Sequence, residues 1–152
     1  YINFRIKRRY LPFSLSRSLE PEDFGQEEAT LRVVMGPQDD MFSKQGIDTF
    51  LNTEYTVNSE FDRMGCRLEG AFIAPKTTSD MISDGIAFGS VQVPSHGKPI
   101  ILLADRQTTG GYAKIATVAS VDIPKLVQRR WTIRFIFRQL RFRKHRNYIW
   151  KK

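Results

Sequence analysis

The chain has 152 residues, of which 41% are hydrophobic, and a formal net charge of +8 at pH 7. This size and composition argue against disorder, and no apolar stretch approaches the roughly 18 residues of a membrane span or forms a signal peptide. With Cys66 as the only cysteine no internal disulfide can form, so we predict a single cytoplasmic domain over residues 1–152 that does not enter a membrane.

The positive charge is concentrated at the two ends of the chain. Residues 1–18 contain five Lys or Arg and residues 128–152 contain ten, both without an acid, whereas residues 19–127 hold nine bases against sixteen acids. Apolar and polar residues alternate over 2–7 and 133–138, which is typical of half-buried strands with a charged outer face. We therefore favour the interpretation that the terminal positive charges lie on the solvent-exposed faces of two strands. The alternative is a basic surface that docks an acidic partner protein, and nucleic-acid binding is not expected.

Between these ends the pattern predicts short strands and two or three short helices. The first predicted elements are a strand at 31–35, a helix at 41–51 capped by Asp39 or Asp40, strands at 54–58 and 66–72, and a helical turn at 78–84. Then follow strands within 85–94 and 99–105 joined by a hairpin turn, a strand at 113–122, a helix at 124–127 capped by Asp122, and a strand from about 132. Seven or eight short strands with turns every 8 to 12 residues or so favour a barrel or a sandwich.

Several familiar catalytic arrangements are absent from the sequence. His96 and His145 are far from Cys66 along the chain, so the clustered ligands of a metal site are missing. The sequence contains no GxSxG motif, and TTGGY lacks the Gly-Lys-Ser/Thr of a phosphate-binding loop. Cys66 lies in a predicted strand, which indicates a small core residue. We therefore expect no metal site and no self-contained nucleotide site.

Polar side chains collect where the predicted strands end, beside glycine or proline. Barrel proteins often place their chemistry at such rims, because the strands hold the loops rigidly. Arg106 suits a carboxylate and Asp105 would orient it, while the adjacent glycines would let backbone N–H groups approach a bound oxygen. The candidate ligand-binding residues are Arg63, Asp84, Gln92, Asp105, Arg106, Gln107 and Thr108, with backbone contacts from Gly110 and Gly111.

Each candidate also has a purely structural interpretation. Arg63 can form a surface ion pair with its neighbour Asp62, and Asp84 can form an Asx turn in SDG. Gln92 can be a solvated strand residue. The Asp-Arg pair at 105–106 can be a buried structural pair that holds its loop. Taken alone, the pattern specifies a polar ligand with a carbonyl or carboxylate and identifies no reaction.

Several motifs between residues 36 and 127 closely resemble the KipA family. In chain order they are GPQDDMF, FDRMGCRLEG, DMISDGIAFGSVQVPSHGKPIILLADRQTTGGYAKIATV and DIPKL. Relatives in the family include the C subunit of 5-oxoprolinase, allophanate hydrolase subunit 2 and the carboxyltransferase region of urea carboxylase. The resemblance implies a mainly β, cyclophilin-like β-barrel with two or three short helices. It also implies that the chain is the C-terminal half of a longer family member.

The resemblance further implies work in a heteromeric complex. Family members act with a KipI-like protein, which is the B subunit, and some serve the ATP-dependent opening of 5-oxoproline with a third subunit. In urea carboxylase the related region receives carboxylate from biotin. We therefore expect a component of an amide hydrolase or carboxyltransferase complex that acts on a small cyclic amide or urea-like substrate and is inactive alone. The alternative is a non-catalytic regulatory protein that antagonises a KipI-like kinase inhibitor.

No cofactor is expected on this chain alone, since ATP would act in the complex and biotin in urea carboxylase-like relatives. The family's motif positions fall on the same rim residues and add Gln38. The roles implied are ligand binding for Arg63 and Arg106, support of these arginines for Asp84 and Asp105, and neutral contacts for Gln92 and Gln107. The sequence departs from the family in two ways. A glycine-rich half before this portion is absent, and QRRWTIRF lacks an expected Gly-Asp turn, so residues near Trp131 are missing or the loop is shortened.

Overall fold

A computed structural model describes residues 28–128 and 134–140, and within these ranges the chain forms nine strands and two α-helices. The strands are β1 (Glu28–Met35), β2 (Glu54–Phe61), β3 (Gly65–Gly70), β4 (Asp80–Gly85), β5 (Ser90–Gln92), β6 (Ile100–Leu102), β7 (Thr109–Tyr112), β8 (Lys114–Val118) and β9 (Arg134–Gln139). The helices are α1 (Lys44–Asn52) and α2 (Ile123–Val127), each preceded by a short 3-10 turn, at Asp39–Met41 and Ser120–Asp122. No helix in the described ranges has the length and apolar character that crossing a bilayer requires.

Seven of the strands close into a barrel in the order β1-β8-β5-β6-β3-β2-β9. Neighbouring strands are antiparallel except at the closure, where β1 and β9 pair in parallel from Glu28↔Arg134 to Val33↔Gln139. The other two strands, β4 and β7, form a separate antiparallel pair that we call the β4–β7 ribbon. The prediction of a mainly β barrel with short helices is confirmed.

Alternation of apolar and polar residues explains the closing strands. In β1 the side chains of Leu31 and Val33 are buried and their neighbours are exposed. In β9 Phe135 and Phe137 are buried, whereas Arg134 is exposed. Successive side chains of a strand point to opposite faces, so this pattern puts the apolar set inside the barrel and the charges outside. The predicted basic, half-buried strand is confirmed over the described part of the tail.

Helix α1 packs against the barrel through its aromatic residue. Phe50 is fully buried and stacks on Phe137, with ring centroids 4.4 Å apart, and Tyr55 lies 5.5 Å from the same ring. The helix begins after Ser43, whose side-chain oxygen accepts a hydrogen bond from Gly46 N–H at 2.9 Å. Serine in this position satisfies one of the free N–H groups of the first turn.

Four element predictions need correction. The caps predicted for α1, Asp39 and Asp40, lie one turn earlier in a 3-10 turn, because Ser43 is the residue that reaches the helix N-terminus. The predicted helical turn at 78–84 is strand β4, whose backbone pairs with β7 far along the chain. The predicted strand at 113–122 ends at Val118 and is followed by a 3-10 turn. Asp122 makes no side-chain cap of α2 and binds Arg32 instead.

The strand count is also slightly higher than predicted, since β4 and β7 add two short strands. The hairpin predicted across residues 95–98 is confirmed by the antiparallel pairing of β5 with β6. Several predictions fall outside the described residues: the N-terminal strand over 2–7, the tail before residue 134, the missing segment near Trp131, and His145.

Candidate ligand-binding site

A cavity of about 170 Å³ lies beside strands β3, β5 and β6. Three of the predicted ligand-binding residues line it, namely Gln92, Arg106 and Gln107. Its apolar wall is formed by Met64, Ile86, Ile100 and Leu102, and its remaining lining by Asp62, Gly65 and Arg67. Small concave sites with apolar walls and a few convergent polar groups are the usual form of a small-molecule site.

Arg106 is fixed by backbone carbonyls and an aromatic ring. Its Nε donates to the Ile86 carbonyl at 3.1 Å, and its Nη1 donates to the Leu103 carbonyl at 3.3 Å. The guanidinium carbon lies 5.9 Å from the Phe88 ring centroid, within the range of a cation–π contact. A guanidinium has five N–H donors, and no acceptor in the described ranges contacts the others. The side chain is therefore oriented and still has donors available for an oxygen ligand.

Gln92 is a buried amide at the same cavity. The residue is only 6% exposed, which rules out the interpretation as a solvated strand residue. Its Nε2 donates to the Tyr112 carbonyl at 3.4 Å, a long hydrogen bond. Within the described part of the chain its side-chain oxygen has no donor. Gln92 therefore offers an acceptor to the cavity, opposite in character to the donors of Arg106.

The paired glycines lie in strand β7 and do not line the cavity. A Cβ on Gly110 would lie 2.8 Å from Ile86 Cδ1 and 2.9 Å from Gln92 Nε2. A Cβ on Gly111 would lie 3.2 Å from the Met81 carbonyl. Glycine at position 110 therefore allows the ribbon backbone to pack directly behind two cavity residues. Ligand contact by the backbone of these glycines stays a prediction.

Arg63 and Asp105 form an ion pair outside the cavity. The Arg63 Nε lies 2.8 Å from Asp105 Oδ2, and its Nη2 donates to Oδ1 at 3.1 Å. The Arg63 side chain is 82% exposed, so water screens the pair and its contribution to stability is small. Asp105 was expected to orient Arg106, but its carboxylate contacts Arg63 instead. This also corrects the alternatives that paired Arg63 with Asp62 and Asp105 with Arg106.

Asp62 has a local role, since its Oδ1 accepts hydrogen bonds from the Met64 and Gly65 N–H groups at 2.8 and 2.9 Å. Thr108 is exposed and its carbonyl accepts from Ile86 N–H at 2.9 Å. These contacts shape the loops on either side of the cavity. Neither residue was predicted to have this structural role.

A second polar cluster joins Gln38, Asp84 and Lys114. The Lys114 Nζ lies 2.9 Å from Asp84 Oδ2, and the lysine side chain is 3% exposed. Gln38 Nε2 donates to Asp84 Oδ2 at 3.2 Å, and Gln38 Oε1 accepts from Lys114 N–H at 3.2 Å. Asp84 was expected to support an arginine, but its charged partner is this lysine. The hydrogen bond from Lys114, followed by that from Gly85 N–H, lowers the pKa of Asp84.

The sequence reasoning missed Lys114. A signal was present, because Lys114 is the only charged residue between positions 107 and 121. Lysine is rarely buried without a charged partner, so one inside an apolar strand indicates an ion pair. The partner was not predictable, since Asp84 lies 30 residues earlier on a strand that the local pattern did not reveal.

Cys66 is fully buried in the core, and burial raises the pKa of its thiol to about 12. This burial confirms the prediction of a core cysteine. A thiol with a raised pKa is also a poor nucleophile. Across residues 28–128 and 134–140, His, Cys, Asp and Glu side chains form no group of three suited to a metal ion.

A family model described as carboxyltransferase domain, subdomain A and B, matches residues 5–139. The chain belongs to this carboxyltransferase domain family. Two curated relatives are each named as the C subunit of 5-oxoprolinase. The Haemophilus influenzae protein is 43% identical over 107 residues, 69% of this chain and 35% of the relative. The Escherichia coli protein is 38% identical over 98 residues, 64% of this chain and 32% of the relative. The chain thus spans about a third of the length of these relatives.

Solved structures also resemble this barrel. The crystal structure of TTHA0988 is 30% identical with a TM-score of 0.67, covering 86% of this chain and 25% of that one. The Kluyveromyces lactis urea carboxylase is 22% identical with a TM-score of 0.70, covering 76% of this chain and 11% of that one. At this identity the second likeness shows the fold alone. The family suggested by the sequence motifs is confirmed.

Proposed function

We propose that the chain provides the substrate-binding barrel of a 5-oxoprolinase-type complex and that its cavity binds 5-oxoproline. The observation that carries the proposal is the convergence of Arg106 and Gln92 on one small cavity. The names of the two curated relatives support the substrate. Because the chain matches only a third of each relative, activity is assigned to the complex and not to the barrel alone.

The chemistry of the cavity matches the chemistry of 5-oxoproline. This molecule is a five-membered lactam with a carboxylate, and a cavity of about 170 Å³ is of the right order for it. The free N–H groups of Arg106 would bind the carboxylate, since guanidinium and carboxylate groups are geometrically matched. The side-chain oxygen of Gln92 would accept from the lactam N–H. The apolar ring carbons would pack on Ile86 and Ile100.

The barrel would bind and orient the lactam, and its partners would supply the energy of ring opening. Around the cavity, the described residues include no Ser, Cys or His that is placed as a nucleophile or base. The sequence also lacks a phosphate-binding loop, so ATP would be bound elsewhere in the complex. We propose a KipI-like protein, in the position of the B subunit, and a third protein as these partners. Biotin has no role in this scheme.

The test is Arg106→Gln in the full chain assembled with its partner proteins. We expect the KM for L-5-oxoproline to rise about 10- to 100-fold, because a hydrogen-bonded charge contributes on the order of 1.5–3 kcal/mol. ATP-dependent release of glutamate is the measurement. Arg138→Gln is the matched control, since Arg138 is exposed on β9 away from the cavity, and it should leave KM unchanged.

Two results would contradict the proposal. The first is a wild-type complex that does not turn over 5-oxoproline; if such a complex turns over urea, the cavity binds a urea-like substrate. The second is an Arg106→Gln complex with unchanged KM, which would show that Arg106 is not part of the site. A partner that binds tightly in the absence of any turnover would favour the regulatory alternative.

A further inference from the structure

We infer that Lys114 is a positioning residue for the cavity, acting through Asp84 and Ile86 on Arg106. The inference rests on the proposed ligand-binding role of the cavity, and none of the sequence motifs assigned a role to this lysine. It follows from the burial of Lys114, from its place on β8, and from the contacts of the segment that follows Asp84.

The Lys114–Asp84 ion pair connects the barrel interior to the surface. The lysine side chain is 3% exposed, whereas the Asp84 side chain is 52% exposed. A buried ammonium without a partner is strongly unfavourable, so Lys114 holds Asp84 firmly at this place. Gln38 strengthens the junction, because it binds the same carboxylate oxygen and the Lys114 backbone. Asp84 is thus attached to the barrel although its own strand, β4, lies outside it.

An irregularity in β8 determines where Lys114 points. Val91 pairs with Ala116, but the next residue, Gln92, pairs with Lys114, so Ile115 has no partner on β5. Such a β-bulge changes the direction of the following side chains, and bulges are frequent beside functional sites. As a result Lys114 is the cross-strand neighbour of Gln92, a residue of the cavity.

The path from Asp84 to Arg106 is short. Two residues after Asp84, the Ile86 carbonyl accepts the hydrogen bond from Arg106 Nε, and the Ile86 side chain lines the cavity. Asp84 also pairs across the ribbon with Gly110, which packs against Ile86 and the Gln92 amide. Fixing Asp84 therefore fixes the acceptor that orients the guanidinium. Without the ion pair, the Asp84 side chain keeps only its contacts to Gln38 and to the Gly85 N–H, so this end of the ribbon loses its one charged link to β8 among the described residues.

The test compares four single variants of the full chain. Lys114→Met removes the ammonium and keeps the length of the side chain, Asp84→Asn removes its partner, and Lys114→Arg preserves the charge. Lys98→Met is the matched control, because Lys98 pairs with Glu69 at a half-exposed site away from the cavity. Two quantities are measured: the Kd for L-5-oxoproline by titration calorimetry, and the hydrogen exchange rate of the Arg106 Nε–H by NMR.

We expect Lys114→Met and Asp84→Asn each to raise the Kd about five- to tenfold and to accelerate exchange of the Arg106 Nε–H. A double variant that combines Lys114→Met with Asp84→Asn should bind no more weakly than either single variant, because both substitutions remove the same interaction. Lys114→Arg should recover most of the binding. Lys98→Met should change neither quantity.

The outcomes separate this inference from the proposed function. If Lys114→Met binds 5-oxoproline as wild type does and Arg106 exchange is unchanged, the inference is overturned and the proposed function stands. If the wild type does not bind 5-oxoproline but Lys114→Met still accelerates Arg106 exchange, the proposed function fails and the positioning role survives. If Lys114→Met does not fold, Asp84→Asn decides, because Asp84 is half-exposed; unchanged binding and exchange in that variant overturn the inference.

Discussion

A single buried carboxylate joins helix α2 to the first strand of the barrel. The Asp122 side chain has no exposed surface and accepts hydrogen bonds from Arg32 Nε at 2.7 Å, Arg32 Nη2 at 2.8 Å and Arg32 N–H at 2.9 Å. Lys125 Nζ lies 2.8 Å from Asp122 Oδ1. Burial alone would raise the pKa of Asp122, but the hydrogen bonds from Arg32 and Lys125 outweigh it and hold the pKa well below its usual range.

Replacing this carboxylate should destabilise the fold. We expect Asp122→Asn to lower the free energy of unfolding by about 2 kcal/mol, less than for a fully buried pair because Arg32 is partly exposed. The measurement is urea unfolding of the variant and of Asp48→Asn, an exposed control on α1. Equal stability of Asp122→Asn and wild type would contradict the prediction.

The same carboxylate gives a pH dependence of stability. Its pKa is lower in the folded state than in the unfolded chain, so its contribution is complete above the unfolded pKa, near 4 or so. The difference in unfolding free energy between wild type and Asp122→Asn should therefore be constant from about pH 5 to 7. It should shrink as the pH falls below about 4. A difference that grows toward acid would have the wrong sign.

At the scale of elements, local pattern predicted the strands whose two faces differ. Strands β1 and β9 alternate between buried and exposed residues, so period-two patterning identified them. Strand β4 is exposed along most of its length and exists because β7 pairs with it, which no local signal in 78–84 encodes. The predicted cap of α1 was wrong for a simpler reason, since Asp39 and Asp40 lie in the preceding 3-10 turn and Ser43 meets the helix end.

The candidate site was predictable in part for the same reason. Strand ends marked Arg106, Gln92 and Gln107 as rim residues, and all three line the cavity. Which acid meets which base depends on strand register, so Asp105 was expected beside Arg106 but binds Arg63, and Asp84 was expected beside an arginine but binds Lys114. The family resemblance implied that both acids support arginines, which is true of Asp105 with Arg63 and wrong for Asp84, whose partner is Lys114.

The ribbon glycines allow a matched pair of substitutions. Gly110→Ala should weaken 5-oxoproline binding several-fold and destabilise the fold by about 1–3 kcal/mol, because the new Cβ meets Ile86 and Gln92 below 3 Å and the neighbours must move. Gly85→Ala is the control on the facing strand, where a Cβ meets nothing within 4 Å. Calorimetric binding and thermal unfolding are the measurements. If the two variants behave alike, close packing at Gly110 is not what shapes the cavity.

At the scale of the whole molecule, the closed barrel and the ribbon should differ in stability. Each barrel strand has two neighbours, whereas within the described residues β4 and β7 have only each other. A two-stranded ribbon is marginally stable alone, so its amides should exchange by local opening and the barrel amides by global unfolding. Hydrogen exchange by NMR is the measurement. Ribbon amides as protected as those of β1 and β8 would contradict this.

The parallel pairing of β1 with β9 has a consequence for anything joined to the barrel. Strand β1 starts with Glu28 beside Arg134, and its Val33 lies beside Gln139 near the end of β9. The first described strand therefore begins at one end of the barrel, and the last described strand finishes at the opposite end. The six paired positions span five residue steps, which is roughly 17 Å along the strands. A domain attached directly before β1 and another attached directly after β9 would therefore be connected to opposite ends of the barrel, which would separate them.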